Sequence, residues 1–159
     1  MKTKRRLLLI DDDLTALAAL KLVLLTRGYS VTTATSGEEG LELFLGNGFD
    51  LVLVNDLPPL GNGRLFAGLD GEQVAQAIKR QAPQVPVILY SRKKPGGMFP
   101  TSAADRFFGK YGSNLDLLEA VRILAMKKRG AKKPAAGVKV TERKAYVSTG
   151  SEKDEPVEE

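Results

Sequence analysis

Leu7-Leu8-Leu9-Ile10-Asp11-Asp12-Asp13 runs four apolar residues straight into three carboxylates. A strand with one wet face alternates apolar and polar residues, so an unbroken apolar run marks a strand covered on both sides. Residues 5–10 are therefore expected as a buried strand of a parallel sheet. The acids behind it then stand at the strand's carboxyl end, where open parallel sheets hold their ligands.

Working outward, residues 14–26 show helical periodicity with Leu17, Leu20 and Leu24 on one face and Gly28 just past the end. Residues 29–33 are strand-like. Ser36-Gly37-Glu38-Glu39 reads as a capping box opening a helix whose Leu41, Phe44 and Leu45 point inward, stopped by Gly46-Asn47-Gly48. Residues 51–54 form a second unbroken apolar run. After a long loop, Asp70 can cap a helix carrying Val74, Ala77 and Ile78; residues 85–90 give a fourth strand and residues 106–109 a fifth. Ser113 then starts a helix with Leu117, Val121 and Leu124 inside, ending near Lys127. Five strands alternating with helices predict a three-layer, doubly wound α/β domain with a parallel sheet.

Composition narrows the chemistry. With 159 residues the chain has room for one full-sized domain, and 43% hydrophobic with 27% charged residues excludes a wholly disordered or membrane-embedded chain. Cys and His are both absent, which removes disulfides, thiolate nucleophiles, imidazole bases and the usual zinc ligands. Any metal site must be built from oxygen, which suits Mg²⁺, Mn²⁺ or Ca²⁺. The basic start is followed by only four apolar residues, too few for an export signal, and no stretch is long enough to span a bilayer, so the expected location is cytoplasmic. Residues 127–144 carry eight Lys and Arg against one acid, and residues 145–159 carry one against five. This gives a domain over 4–127 and a charged tail over 128–159, expected to be mostly disordered.

At the expected strand ends stand Asp11-Asp12-Asp13, then Asn55-Asp56, then Ser91, then Lys110. Carboxylates can hold a hard cation, while a hydroxyl and an ammonium can donate to phosphoryl oxygens. Taken singly, each has a plainer reading. The three acids could cap a helix, Ser91 could end a strand, and Lys110 could be a solvated surface lysine. Three adjacent acids nevertheless repel one another unless something compensates them.

Taken together, the blocks Leu7–Asp13, Asp50-Leu51-Val52-Leu53-Val54-Asn55, Pro86-Val87-Ile88-Leu89-Tyr90-Ser91 and Phe107-Phe108-Gly109-Lys110 resemble the receiver domain of two-component response regulators. That resemblance implies a flavodoxin-like (βα)₅ fold with strand order 2-1-3-4-5. It implies that Asp11 and Asp12 are the acidic pair for Mg²⁺, with Asp12 the direct ligand. Ser91 matches the hydroxyl that follows the phosphoryl group, Lys110 the lysine that pairs with the phosphorylated aspartate, and Phe107 the aromatic that reports activation, although core packing is its plainer role. The family takes a phosphoryl group from a histidine kinase onto an aspartate ending the third strand, and it signals rather than catalysing metabolism. No Gly-rich phosphate loop follows the first strand, which also argues against a metabolic enzyme.

The acceptor position is where the sequence departs. Counting from Asp50, with Pro59 four residues beyond and Gly63 eight beyond, the position falls on Asn55, an amide that cannot form an acyl phosphate. Asp56 is adjacent, but alternation along a strand turns it to the other face unless the register slips. The leading expectation is thus a single-domain signalling protein that binds a protein partner without phosphorylation at the usual position and holds Mg²⁺ weakly or not at all. The alternative is a phosphorylatable receiver using Asp56. A third reading, a nucleic-acid-associated adaptor working through the basic tail, has no helix-turn-helix pattern behind it, which argues against sequence-specific recognition. Residues 62–69 look like an insertion, Pro and double Gly in residues 92–97 predict a short or displaced fourth helix, and Tyr111 replaces the family's usual proline.

Overall fold

The apolar runs become strands because only a sheet buried on both faces can hide every side chain of such a run. In the computed structural model these are β1 (Arg6–Ile10), β2 (Ser30–Ala34), β3 (Leu51–Asn55), β4 (Val87–Ser91) and β5 (Arg106–Gly109). They pair in parallel in the order β2-β1-β3-β4-β5, as the resemblance implies. Side chains of β3 and β4 are buried throughout, whereas the edge strands β2 and β5 are only partly so. The structure describes residues 2–57, 68–91, 102–109 and 114–127. Most of the expected insertion, the expected fourth helix, Lys110, Tyr111 and the tail over 128–159 lie outside the described residues.

Four described helices cover the sheet: α1 (Leu14–Thr26), α2 (Gly37–Gly46), α3 (Gly71–Gln81) and α4 (Asn114–Ala125). Alternation divides the strands between two cores. Leu8, Ile10, Val52, Val54, Val87 and Leu89 pack with Phe44, Val74 and Ile78 from α2 and α3. Leu7, Leu9, Leu51, Leu53, Ile88 and Tyr90 pack with Leu17, Leu24, Leu117 and Val121 from α1 and α4. Each fully buried Leu or Ile contributes about 1.5–3 kcal/mol, so the central strands anchor the fold.

Caps set the helix ends. Asp13 accepts from Thr15 N and Ala16 N at the start of α1, and Asp70 with Gln73 forms a complete capping box on α3. On α2, Ser36 accepts from Glu39 N as expected, but the Glu39 carboxylate reaches back to Thr35 N rather than to the cap's own N–H. Two expected inner residues are corrected. On α2, Gly40 faces Ile10, which turns Leu45 outward to 64% exposure; on α3, Ala75 rather than Ala77 is buried alongside Val74 and Ile78. Gly28 ends α1 with φ of 92°, a left-handed conformation that glycine adopts without strain.

Candidate functional site at the carboxyl edge of the sheet

Alternation continues past the apolar runs and sorts the polar residues into two rows. Asn55 lies level with Tyr90, and Asp11 comes one residue after Ile10, itself level with Val54. These three extend the side of the sheet that faces α1 and α4. Asp12, Asp56 and Ser91 each come one residue later and extend the side that faces α2 and α3.

The first row is closed. Asp11 is fully buried, with Oδ1 accepting from Asp13 N at 2.9 Å and from Asn55 Nδ2 at 2.9 Å. Its Oδ2 accepts from the Tyr90 hydroxyl at 2.9 Å. Asn55 is 6% exposed and donates also to Asp12 Oδ1 at 3.0 Å. Burial, then the adjoining Asp11 charge and hydrogen bond, push the Tyr90 phenol far above its ordinary value, so it stays protonated and donates. A cavity of about 350 Å³ adjoins this row between α1 and α4, with Ala16, Leu20, Phe108 and Leu117 among its walls. Such apolar surroundings strengthen the Tyr90–Asp11 bond.

The second row is open. Asp12 is exposed and Asp56 half-buried, while Ser91, itself buried, donates from Oγ to Asp56 Oδ2 at 3.1 Å. Asp56 N also donates to Tyr90 O at 2.9 Å, which holds the residue level with Ser91 just beyond β3. The backbone at Asn55 is approached closely by α3: a Cβ on Gly71 would collide with the Asn55 carbonyl oxygen. Helix α3 can therefore start where it does only with glycine there.

This arrangement corrects the functional expectation. Asp56 does point to the other face from Asn55, but that is the face on which Ser91 lies, so alternation brings the carboxylate into the site instead of removing it. The reading of a receiver without phosphorylation, centred on a neutral amide, is overturned by this anionic, half-exposed oxygen beside the Ser91 hydroxyl. Phe107 lies level with Leu89 and packs, partly buried, against the core under α2 and α3. Asp50 and Lys79 lie at the opposite end of the sheet: Asp50 accepts from Arg6 N, and Lys79 donates to Val85 O and pairs with Asp105. Tyr90 was not singled out by the sequence; its only signal is its position one residue before Ser91, level with Asn55.

Oxygen is the sole donor type here, which matches Mg²⁺. Asp12 and Asp56 supply carboxylates at an accessible rim, and Mg²⁺ ordinarily binds through one or two carboxylates while keeping waters. Among the described residues no group of three or more acids is arranged to hold a metal ion, so the fit is to a cation shared with solvent and phosphoryl oxygens rather than to a closed cage. Among those residues, too, no helix is long and apolar enough to cross a membrane.

A parallel sheet in this order, with carboxylates and a hydroxyl at its carboxyl edge, defines a receiver-type signalling domain. Residues 7–122 match the response regulator receiver domain, and the chain belongs to that family. It is 38% identical over 87 residues to the transcriptional regulatory protein AfsQ1 of Streptomyces coelicolor, covering 55% of this chain and 35% of that protein. It is 41% identical over 83 residues to the transcriptional regulatory protein GlrR of Escherichia coli, covering 52% of this chain and 17% of that one. The chain thus matches about a third or less of these relatives' length. Among solved structures, the response regulator TrrA of Thermotoga maritima, in complex with Mg²⁺ and BeF, superposes with a TM-score of 0.65 at 28% identity, covering 76% of this chain and 98% of that one. A receiver domain from Clostridium thermocellum gives the same TM-score at 27% identity, covering 78% and 96%.

Proposed function

We propose that the chain is a phosphorylatable receiver in a two-component pathway, with Asp56 as the acceptor and a histidine kinase as the phosphodonor. The observation that carries this reading is the Asp56 carboxylate, half-exposed and hydrogen-bonded to Ser91. An Asp56 oxygen attacks the phosphorus of a phosphohistidine; the new P–O bond forms as the P–N bond breaks, and the departing imidazole takes up a proton. Ser91 Oγ turns its hydrogen from Asp56 to the incoming phosphoryl oxygens. Lys110, next in sequence after Gly109, supplies the ammonium for the same oxygens in this reading. Asp12 and Asp56 would hold Mg²⁺, which would supply positive charge against the phosphoryl oxygens. The relative solved with Mg²⁺ and BeF supports this choice of ion.

Helix α1 begins beside the rim and exposes Leu14, Leu22 and Leu25 to solvent. An apolar surface next to an acidic site favours a protein donor over a small molecule, because docking can bury it. The receiver comprises residues 4–127, and the relatives' role in transcription supports an output through a further partner.

Incubation with Mg²⁺ and a small-molecule phosphodonor, followed by intact-mass measurement, tests the reading. One labile phosphoryl group is expected on the full chain and none on Asp56→Ala. Equal uptake by that variant would refute Asp56 as the acceptor.

A further inference from the structure

We propose that Tyr90 and Asn55 are positioning residues that withhold Asp11 from the cation and keep the acidic rim assembled before any cation arrives. The inference rests on the reading of Asp12 and Asp56 as the carboxylates that meet Mg²⁺.

Asp11 is the least accessible acid of the rim. Its two oxygens take three short hydrogen bonds, from Asp13 N, Asn55 Nδ2 and Tyr90 OH, and no part of it reaches solvent. A carboxylate offers about four acceptor positions; these donors take three, and burial closes the remaining one to solvent. Mg²⁺ loses its waters reluctantly and demands near-octahedral geometry, which a fully buried oxygen between an amide and a phenol does not offer.

The donors are of an unusual kind for the task. Asn55 has two amide hydrogens, and one goes to each acid of the pair, Asp11 and Asp12. Two carboxylates can only accept, so the amide must present its nitrogen to them. The amide therefore brings together two like charges that would otherwise repel. Tyr90 completes the arrangement from below, 4% exposed, with its hydroxyl donating to Asp11 Oδ2. Neither donor carries charge, so Asn55 and Tyr90 hold Asp11 without neutralising it. A carboxylate at position 55 would do the reverse, placing three acids together and making the site depend on the cation.

The cation that binds is accordingly held through fewer protein oxygens than three acids could supply. Phosphoryl uptake then responds to Mg²⁺ over a higher concentration range than a three-carboxylate rim would show.

The test is Mg²⁺ titration of the full chain by calorimetry, with Mg²⁺-induced change in Tm as a second readout. Tyr90→Phe is expected to bind Mg²⁺ severalfold more tightly, because Asp11 regains an oxygen for the ion. Asn55→Asp is expected to bind at least tenfold more tightly, and to lose Tm without Mg²⁺ and recover it with the ion. A merely structural role for Tyr90 would lower Tm and leave the affinity where it was. Affinities within twofold of the parent in both variants, or no Mg²⁺ binding by any of the three proteins, would overturn the inference. Should Tyr90→Phe fail to fold, Asn55→Asp decides alone. None of these readouts uses phosphorylation, so expected affinities together with no phosphoryl uptake would sink the choice of Asp56 and leave this inference standing.

Discussion

The two ends of the sheet hold acids in comparable positions and treat them differently. At the amino end, Asp50 accepts from Arg6 N and pairs with Arg5, while Asp105 accepts from Val87 N and pairs with Lys79. At the carboxyl end, Asp11, Asp12 and Asp56 take hydrogen bonds from an amide, a phenol and a hydroxyl. Acids matched by cations and strand N–H groups are spent on holding neighbouring strands in register. The hydrogen-bond donors named at the rim are neutral, and in the proposed reaction the charge of these acids would draw a cation and orient a phosphoryl group.

The comparison can be broken from either side. The largest effect is expected for Ser91→Ala, which removes a donor to the transferring phosphoryl oxygens: uptake of label should slow by about a hundredfold, while stability falls by only about 1 kcal/mol. A rate within a few fold of the parent would place Ser91 outside the reaction. Asp50→Ala should do the opposite. Leaving Arg6 N without its acceptor costs about 1–3 kcal/mol in denaturant unfolding, and phosphoryl uptake by the folded protein should be unchanged.

A smaller effect separates the two ends by pH. Tyr90 holds its proton in the folded protein far above the pH at which an unfolded tyrosine loses it. The stability it contributes is therefore fully present below about pH 10 and declines above that, as the unfolded chain ionises, by about 1.4 kcal/mol per pH unit for one proton. Chemical denaturation between pH 9 and pH 11, in ~1-unit steps, should show this slope, and Tyr90→Phe should lose it. The smallest effect belongs to the exposed Glu119–Arg122 pair on α4, where the hydrogen bond from Arg122 lowers the Glu119 carboxyl below its ordinary value. Glu119→Ala should leave Tm unchanged, since exposed pairs are screened by water and salt.

Much of this molecule is legible in its sequence. Residues 7–10 and 51–54 announce central strands because burial on both faces leaves no room for polar residues. Helix α1 spans Leu14–Thr26, the residues its periodicity and Gly28 mark out. What periodicity misplaces is rotation: on α2, Leu45 fits a helical stripe, yet Gly40 meets the sheet because its close approach to Ile10 requires glycine, and on α3 Ala75 rather than Ala77 is buried. At the site, the sequence names the acids and the hydroxyl that follow the strands, but not which of Asn55 and Asp56 shares a face with Ser91. Alternation by itself turns Asp56 away from Asn55, but the edge of a sheet presents both faces and Ser91 shares the Asp56 side. Tyr90 was missed for a related reason, since its role depends on lying level with Asn55, and cross-strand register is not written in either strand alone.

The most direct test of the account is to locate the phosphoryl group. Borohydride reduces an acyl phosphate to the alcohol with release of phosphate, converting the modified aspartate to homoserine, which peptide mass spectrometry can place. After treatment with phosphodonor and Mg²⁺, the account expects homoserine at position 56. Homoserine at position 11 or 12 instead, or at none of the acids of the rim, would contradict it.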